Sequence, residues 1–211
     1  MEKRSRKENC LRTLELALAI AVACTLLWGA LSLGRQEALA DRMVRLHVLA
    51  NSDSEEDQAL KLQVRDSIIG YAEDILRSSH DREDAANRLE QALPELESLA
   101  ADTIAQNGYD YAVTAELTDT TFPTREYEDF TLPAGDYLAL RVVIGAGEGH
   151  NWWCVVFPPL CAQSTEDLSQ TAMAAGLSDD DVGLITEEDQ GYVLKFKSIE
   201  LWERLKTLLG K

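Results

Sequence analysis

The densest concentration of chemistry-bearing residues lies between Gly145 and Cys161, GAGEGHNWWCVVFPPLC. It holds three of the 12 Gly, two of the 4 Trp, two of the 4 Cys and one of the 3 His. Cys154 and Cys161 are close enough in sequence for a disulfide, with Pro158-Pro159 turning the chain back between them. The same residues allow a thiol nucleophile at Cys154 or Cys161 with His150 as its base, a pairing that needs hydrogen-bond reach in space. His150, Cys154 and Cys161 are also metal-ligand types, but three ligands without a matching fourth are a weak set. The glycines do not make a phosphate loop, because no Gly-Lys-Ser/Thr follows and the next segment reads as a strand. Asp53, Glu55, Glu56 and Asp57 lack the glycine of a calcium loop and are explained by helix capping. Trp152 and Trp153 are adjacent, so on a strand they face opposite sides. One belongs to a core, and the other, beside a glycine loop, has the character of a protein-contact residue.

The elements that position these residues read as follows. Met43 to Leu49 is a strand with Val44, Leu46 and Val48 on one face and Arg45, His47 and Leu49 on the other. Asn51 to Ser54 caps a helix running to about Ser78, with Leu60, Val64, Ile68 and Ala72 as its buried stripe. A second helix covers Asp81 to about Gln106, and Pro94 predicts a kink or restart within it. Tyr111 to Leu117 alternates as a strand. A second strand is expected around Phe122 to Phe130, with Pro123 forcing an edge or a bulge. Tyr137 to Ile144, nearly all apolar, reads as a central strand. Trp152 to Phe157 returns from the glycine loop as the second arm of a Gly145–Cys161 hairpin. Thr165 to Ala175 reads as a helix, Asp179-Asp180-Asp181 and Glu187-Glu188-Asp189 as solvated loops, Tyr192 to Phe196 as a short strand, and Ser198 to Leu209 as an amphipathic helix. The sum is an α+β domain: an N-terminal strand and helices packed on a mostly antiparallel sheet.

Charge bounds the function. The 211 residues carry 20 Lys+Arg and 37 Asp+Glu, a formal net charge of −17. Residues 1–40 hold six of the basic and four of the acidic side chains, leaving residues 41–211 at −19. Such a surface lacks the clustered cations that nucleic-acid binding requires, and an anionic membrane repels it. The start is different. Lys3, Arg4, Arg6 and Lys7 precede Leu16 to Leu33, a stretch with no charged residue, and Ala38-Leu39-Ala40 offers a small-x-small cleavage site. A cleaved signal peptide and an uncleaved signal anchor both fit, and both carry residues 41–211 across the membrane. Three segments follow: 1–40 as leader, 41–161 as an exported α+β core, and 162–211 as an acidic connector with a terminal amphipathic helix. Contact with the membrane is confined to residues 16–33.

Several blocks together resemble the stage II sporulation protein R family. They are Arg45-Leu46-His47-Val48-Leu49-Ala50-Asn51-Ser52-Asp53-Ser54, Asp57-Gln58, Leu60-Lys61 and Val64-Arg65-Asp66. Phe122-Pro123-Thr124, Pro133-Ala134-Gly135-Asp136-Tyr137 and the run from Asn151 to Cys161 complete the set. Leu132 stands where an aromatic residue is expected. The resemblance implies a signalling protein rather than an enzyme, with no cofactor and no metal. It implies manufacture in the forespore, export into the space between the two membranes, and activation of a membrane-embedded aspartic protease of the mother cell. That protease then processes a sigma-factor precursor. The expected partner-binding residues are His150, Asn151, Trp152 and Trp153 on the hairpin, with Arg45, His47 and Asn51 as a second group. The alternative is a cell-envelope enzyme using His150 with Cys154 or a carboxylate.

Overall fold

The computed structural model describes residues 2–127, 130–161 and 168–186; side chains of residues 2–11, 14, 26 and 28–33 lie outside the description. The chain divides into two compact units, residues 1–38 and 39–211. The first is occupied by helix α1 (Glu2–Ala40). Leu16, Leu18, Ile20, Val22 and Leu27 are all exposed on it. Among the described residues no helix is long and apolar enough to cross a membrane. The later part of the expected 16–33 run falls on side chains outside the description.

The second unit is built around a sheet in the order β2-β5-β1-β6. Its strands are β1 (Val44–Leu49), β2 (Val113–Phe122), β5 (Gly135–Ile144) and β6 (Asn151–Phe157). β1 pairs with β5 in parallel and with β6 antiparallel, and β2 pairs with β5 antiparallel. The expected α+β class with a mostly antiparallel sheet is therefore present. Helices α2 (Glu55–Leu76) and α3 (Arg82–Gln106) cover one face. Val44, Leu46 and Val48 of β1 meet Leu60, Val64 and Ile68 of α2 and Leu89, Leu96 and Ile104 of α3 there. Ser54 caps α2 by accepting from the Asp57 N–H, and Asp81 caps α3 from the Asp84 N–H.

Four expectations change. First, of the kink or restart expected at Pro94 the restart is absent, and α3 runs through it. The proline removes one backbone bond, while Leu89, Ala92, Leu96 and Ala100 on both sides of it stay anchored in the core. Second, no single strand spans Phe122 to Phe130. β2 continues to Phe122, Pro123 ends it by withholding a donor, and a short pair follows, β3 (Arg125–Glu126) with β4 (Thr131–Leu132). Third, Gly145–Cys161 is not a hairpin. β5 and β6 lie on either side of β1, so the glycine loop crosses the end of β1 rather than turning between neighbours. Fourth, Asp179-Asp180-Asp181 is not a loop but opens α5 (Asp179–Thr186). Ser178 and Asp181 form a reciprocal cap, and Val182 and Ile185 are buried. The helix expected over Thr165 to Ala175 is α4 (Leu168–Ala174) in its described part. The expectations for 187–189, 192–196 and 198–209 lie outside the described residues.

α4, α5 and the β3–β4 pair bury the second face. Ala172, Leu177, Val182 and Ile185 join Phe130, Leu132, Tyr137, Ala139 and Val155 in one cluster. Both faces of the sheet are thus covered, which explains why β1 is buried at nearly every position.

Candidate functional site

Strand alternation sends Arg45 and His47 into the second face, side by side. Arg45 is wholly buried, and its surroundings are aromatic. Its guanidinium carbon lies 4.1 Å from the Phe122 ring centre and 5.0 Å from that of Tyr137. Nη2 donates to Tyr127 Oη at 2.6 Å, and Nε donates to the Cys154 carbonyl at 3.3 Å. Nη1 has no hydrogen-bond partner. Burial lowers the pKa of Arg45, against the opposing pull of Tyr127 and Tyr137. Burial raises Tyr127 and Tyr137, which the nearby cation partly offsets.

His47 is 8% exposed. Its Nε2 and Asn151 Oδ1 are 2.8 Å apart, while Nδ1 is buried without a partner. The ring lies 5.9 Å from both Phe122 and Trp153. Burial pushes its pKa below 6.5, outweighing the Asn151 hydrogen bond. Trp153, half-buried, carries Arg125 on its ring at 3.7 Å. The Arg125 Nε is buried and unpartnered. Tyr127 Oη also donates to the Trp153 carbonyl.

The structure therefore brings Arg45, His47, Asn151 and Trp153 into one cluster. It places the other expected residues elsewhere. Asn51 is a fastener: its Oδ1 accepts from the Ala146 N–H at 2.9 Å, and its Nδ2 donates to Asp57 at 2.8 Å. The His150 N–H donates to Asp53 Oδ1 at 2.7 Å, and its exposed ring meets the same carboxylate. Lys61 donates to the His150 carbonyl. These bonds tie the glycine loop to the start of α2. The approach is close enough that a Cβ at Gly149 would collide with the Ser52 carbonyl. Trp152 faces the α2 side, 36% exposed, under Arg65 at 4.2 Å.

Cys154 and Cys161 form a disulfide with 5.6 Å between their Cα atoms. The bond removes the thiol form of the enzyme alternative, while the carboxylate beside the His150 ring is Asp53. Among the described residues no three His, Cys, Asp or Glu side chains converge as a metal site. Arg125, Tyr127 and Tyr137 are the members of the cluster that sequence reasoning did not single out as site residues. The one available signal was that Arg45 faces the same side as His47 in a strand otherwise apolar.

The family model described as Stage II sporulation protein R (spore_II_R) matches residues 40–167. Stage II sporulation protein R of Bacillus subtilis (strain 168) is 37% identical over 123 residues, 58% of this chain and 55% of that protein. The chain thus matches about half the length of that curated relative. No solved structure matches. A match running from four residues before the first strand through the disulfide loop takes in every strand of the sheet, and on it the chain belongs to the stage II sporulation protein R family.

Proposed function

We propose that this chain is an exported sporulation signal, made in the forespore and delivered to the space between the two membranes. There it binds and activates a membrane-embedded aspartic protease of the mother cell, which processes a sigma-factor precursor. Family membership is the observation that carries this reading. The exposed apolar side chains of α1 support it, since such a surface suits a membrane leader or anchor. The Cys154–Cys161 disulfide supports it as well, because disulfides persist in oxidising, extracytoplasmic spaces.

Mechanistically, an activator of this kind acts by binding the active state of its target more tightly than the inactive one. Two surfaces are available. One is Asn151, Trp153 and Arg125 on the β3–β4 side, with Arg45 and His47 buried beneath them. The other is Trp152 under Arg65 on the α2 side. On this reading the chain works as a ligand through one of these surfaces. The test is reconstitution of the full chain with the protease and its precursor in vesicles. Precursor cleavage that depends on the added chain is the expected result. Cleavage equal with and without it, with the chain folded, would exclude the reading.

A further inference from the structure

Burial chiefly, and the Arg125 charge as a minor cause, lower the pKa of Arg45. Neither arginine forms an ion pair among the described residues. In a chain with 37 acidic side chains this is unusual. Arg42, Arg65, Arg82, Arg88 and Arg141 each sit within 4 Å of a carboxylate. A buried cation without a counter-charge is costly, because its desolvation is not repaid by attraction. Among the described residues the cost at Arg45 is moderated by aromatic faces and two neutral acceptors. One nitrogen of each guanidinium remains without an acceptor. Both belong to the same cluster, since Arg45 stacks on Phe122, Arg125 stacks on Trp153, and the two rings are 6.4 Å apart.

We propose that Arg125, stacked on half-buried Trp153 with the buried charge of Arg45 in the same cluster, is a carboxylate receptor that takes an Asp or Glu side chain from an extended acidic segment of the protein partner. The proposal rests on the partner-binding reading above and gives that partner's chemistry. A guanidinium is matched by a carboxylate, which accepts two N–H bonds in its plane. Bound there, it sets a negative charge against Arg125 in a cluster that also holds the Arg45 cation. Trp153 and His47 supply a low-dielectric wall that strengthens the pairing. A carboxylate from a protein is favoured over a lipid phosphate because residues 41–211 carry a net charge of −19, which an anionic bilayer repels. A protein segment can carry one acidic group into the cluster without bringing a charged sheet with it.

The test uses the full chain in phosphatidylcholine vesicles, with Trp28, Trp152 and Trp202 replaced by Phe so that Trp153 alone emits. The probe is acetyl-Asp-Glu-Asp-Glu-amide, compared at equal ionic strength with acetyl-Asn-Gln-Asn-Gln-amide. A saturable change in Trp153 emission with the acidic peptide only is expected. The apparent affinity should fall at least tenfold in Arg125→Gln and in Arg45→Met, each checked for native circular dichroism. Arg125→Gln lies on the short, partly exposed β3–β4 pair and keeps the test valid if Arg45→Met does not fold. No saturable change, an equal response to the amide peptide, or undiminished binding in folded Arg125→Gln would overturn the proposal. So would a Trp153 shift produced by phosphatidylglycerol vesicles and not by the peptide. Precursor processing that proceeds without peptide binding removes the carboxylate receptor and leaves the activator reading intact. Peptide binding without stimulation of processing does the reverse.

Discussion

The two faces of the sheet are buried by opposite means. On the α2–α3 side, aliphatic side chains meet aliphatic side chains: Val44, Leu46, Val48, Leu140 and Val142 pack against Leu60, Val64, Ile68, Leu89 and Leu96. On the β3–β4 and α5 side, the same strand β1 inserts Arg45 and His47 among Phe122, Tyr127, Tyr137 and Trp153. The first arrangement is what a fold requires, with close packing and hydrophobic burial. The second leaves polar nitrogens at Arg45, His47 and Arg125 without partners. Local conflicts of that kind concentrate where a protein does something besides fold.

The contrast can be broken by substitution. Leu140→Ala, in the aliphatic face, removes a wholly buried side chain and should lower stability by about 2–5 kcal/mol. Its stimulation of precursor processing, per folded molecule, should be unchanged. Arg45→Met should do the opposite. Replacing an uncompensated buried cation with an apolar chain of similar length changes stability by less than about 1 kcal/mol or raises it. Processing should fall at least tenfold. Urea midpoints paired with the reconstituted cleavage assay read both quantities. Equal destabilisation by the two variants would show that the faces are alike and that Arg45 is a core residue only.

The disulfide bears on both faces at once, because Cys154 belongs to the aliphatic cluster while Leu160, beside Cys161, belongs to the aromatic one. The double variant Cys154→Ala, Cys161→Ala should lose about 2–3 kcal/mol through the freed chain entropy of a short loop. Dithiothreitol should shift the urea midpoint of the unsubstituted chain by a similar amount and leave the variant unmoved.

The aliphatic face was the legible one. Steps of three and four at Leu60, Val64, Ile68 and Ala72, and alternation at Val44, Leu46 and Val48, report burial directly. Capping from the Asn51–Ser54 run was equally plain, since such side chains compete locally for the same backbone N–H groups, and the structure gives the role to Ser54. The aromatic face was less so. Arg45 and His47 stood on the correct side of β1, and Trp152 and Trp153 on opposite sides of β6. What brings Tyr127 and Arg125 to them is the short β3–β4 pair, too brief to show a period. The β1–β5 pairing that breaks the expected Gly145–Cys161 hairpin joins strands separated by two helices, and no local pattern encodes such a pairing. Asn51 and His150 share a loop-tying role because the Glu148 and Gly149 N–H groups donate to the Asn51 and Ala50 carbonyls. That closeness follows from the same non-local pairing.

Between the two faces lies the clamp at the start of α2. Hydrogen bonds from Ser52 and then Asn51 hold the Asp57 carboxyl below its usual 3.8. A lowered carboxyl pKa contributes stability above the unfolded value, and that stability is lost as pH falls through the folded value. Asp57→Asn should cost about 1–2 kcal/mol at neutral pH. It should also flatten the acid limb of the stability profile below about pH 4. A variant whose acid limb matches the unsubstituted chain would show that Asp57 is not the group responsible.

The smallest effect separates the faces by pH alone. No titratable group sits among the aliphatic contacts named above, whereas His47 is buried on the other face beside Arg45, with Arg141 also lowering its proton affinity. Its folded pKa lies below the 6.5 of an unfolded chain, so between the two values the unfolded chain binds more protons. Stability then rises with pH across that window. It is fully present above about pH 7 and declines as pH falls below 6.5, until the folded ring itself protonates. His47→Gln keeps a group able to bond Asn151 and removes the titration, so its midpoint should stay level between pH 7 and pH 5.5. Measured against this variant, a bound acidic segment has a distinct signature. A carboxylate placed near His47 favours the protonated ring, so the acidic tetrapeptide should shrink the pH dependence of the unsubstituted chain and leave His47→Gln unaffected. A peptide that stabilises both proteins equally at every pH would place the carboxylate away from the aromatic face.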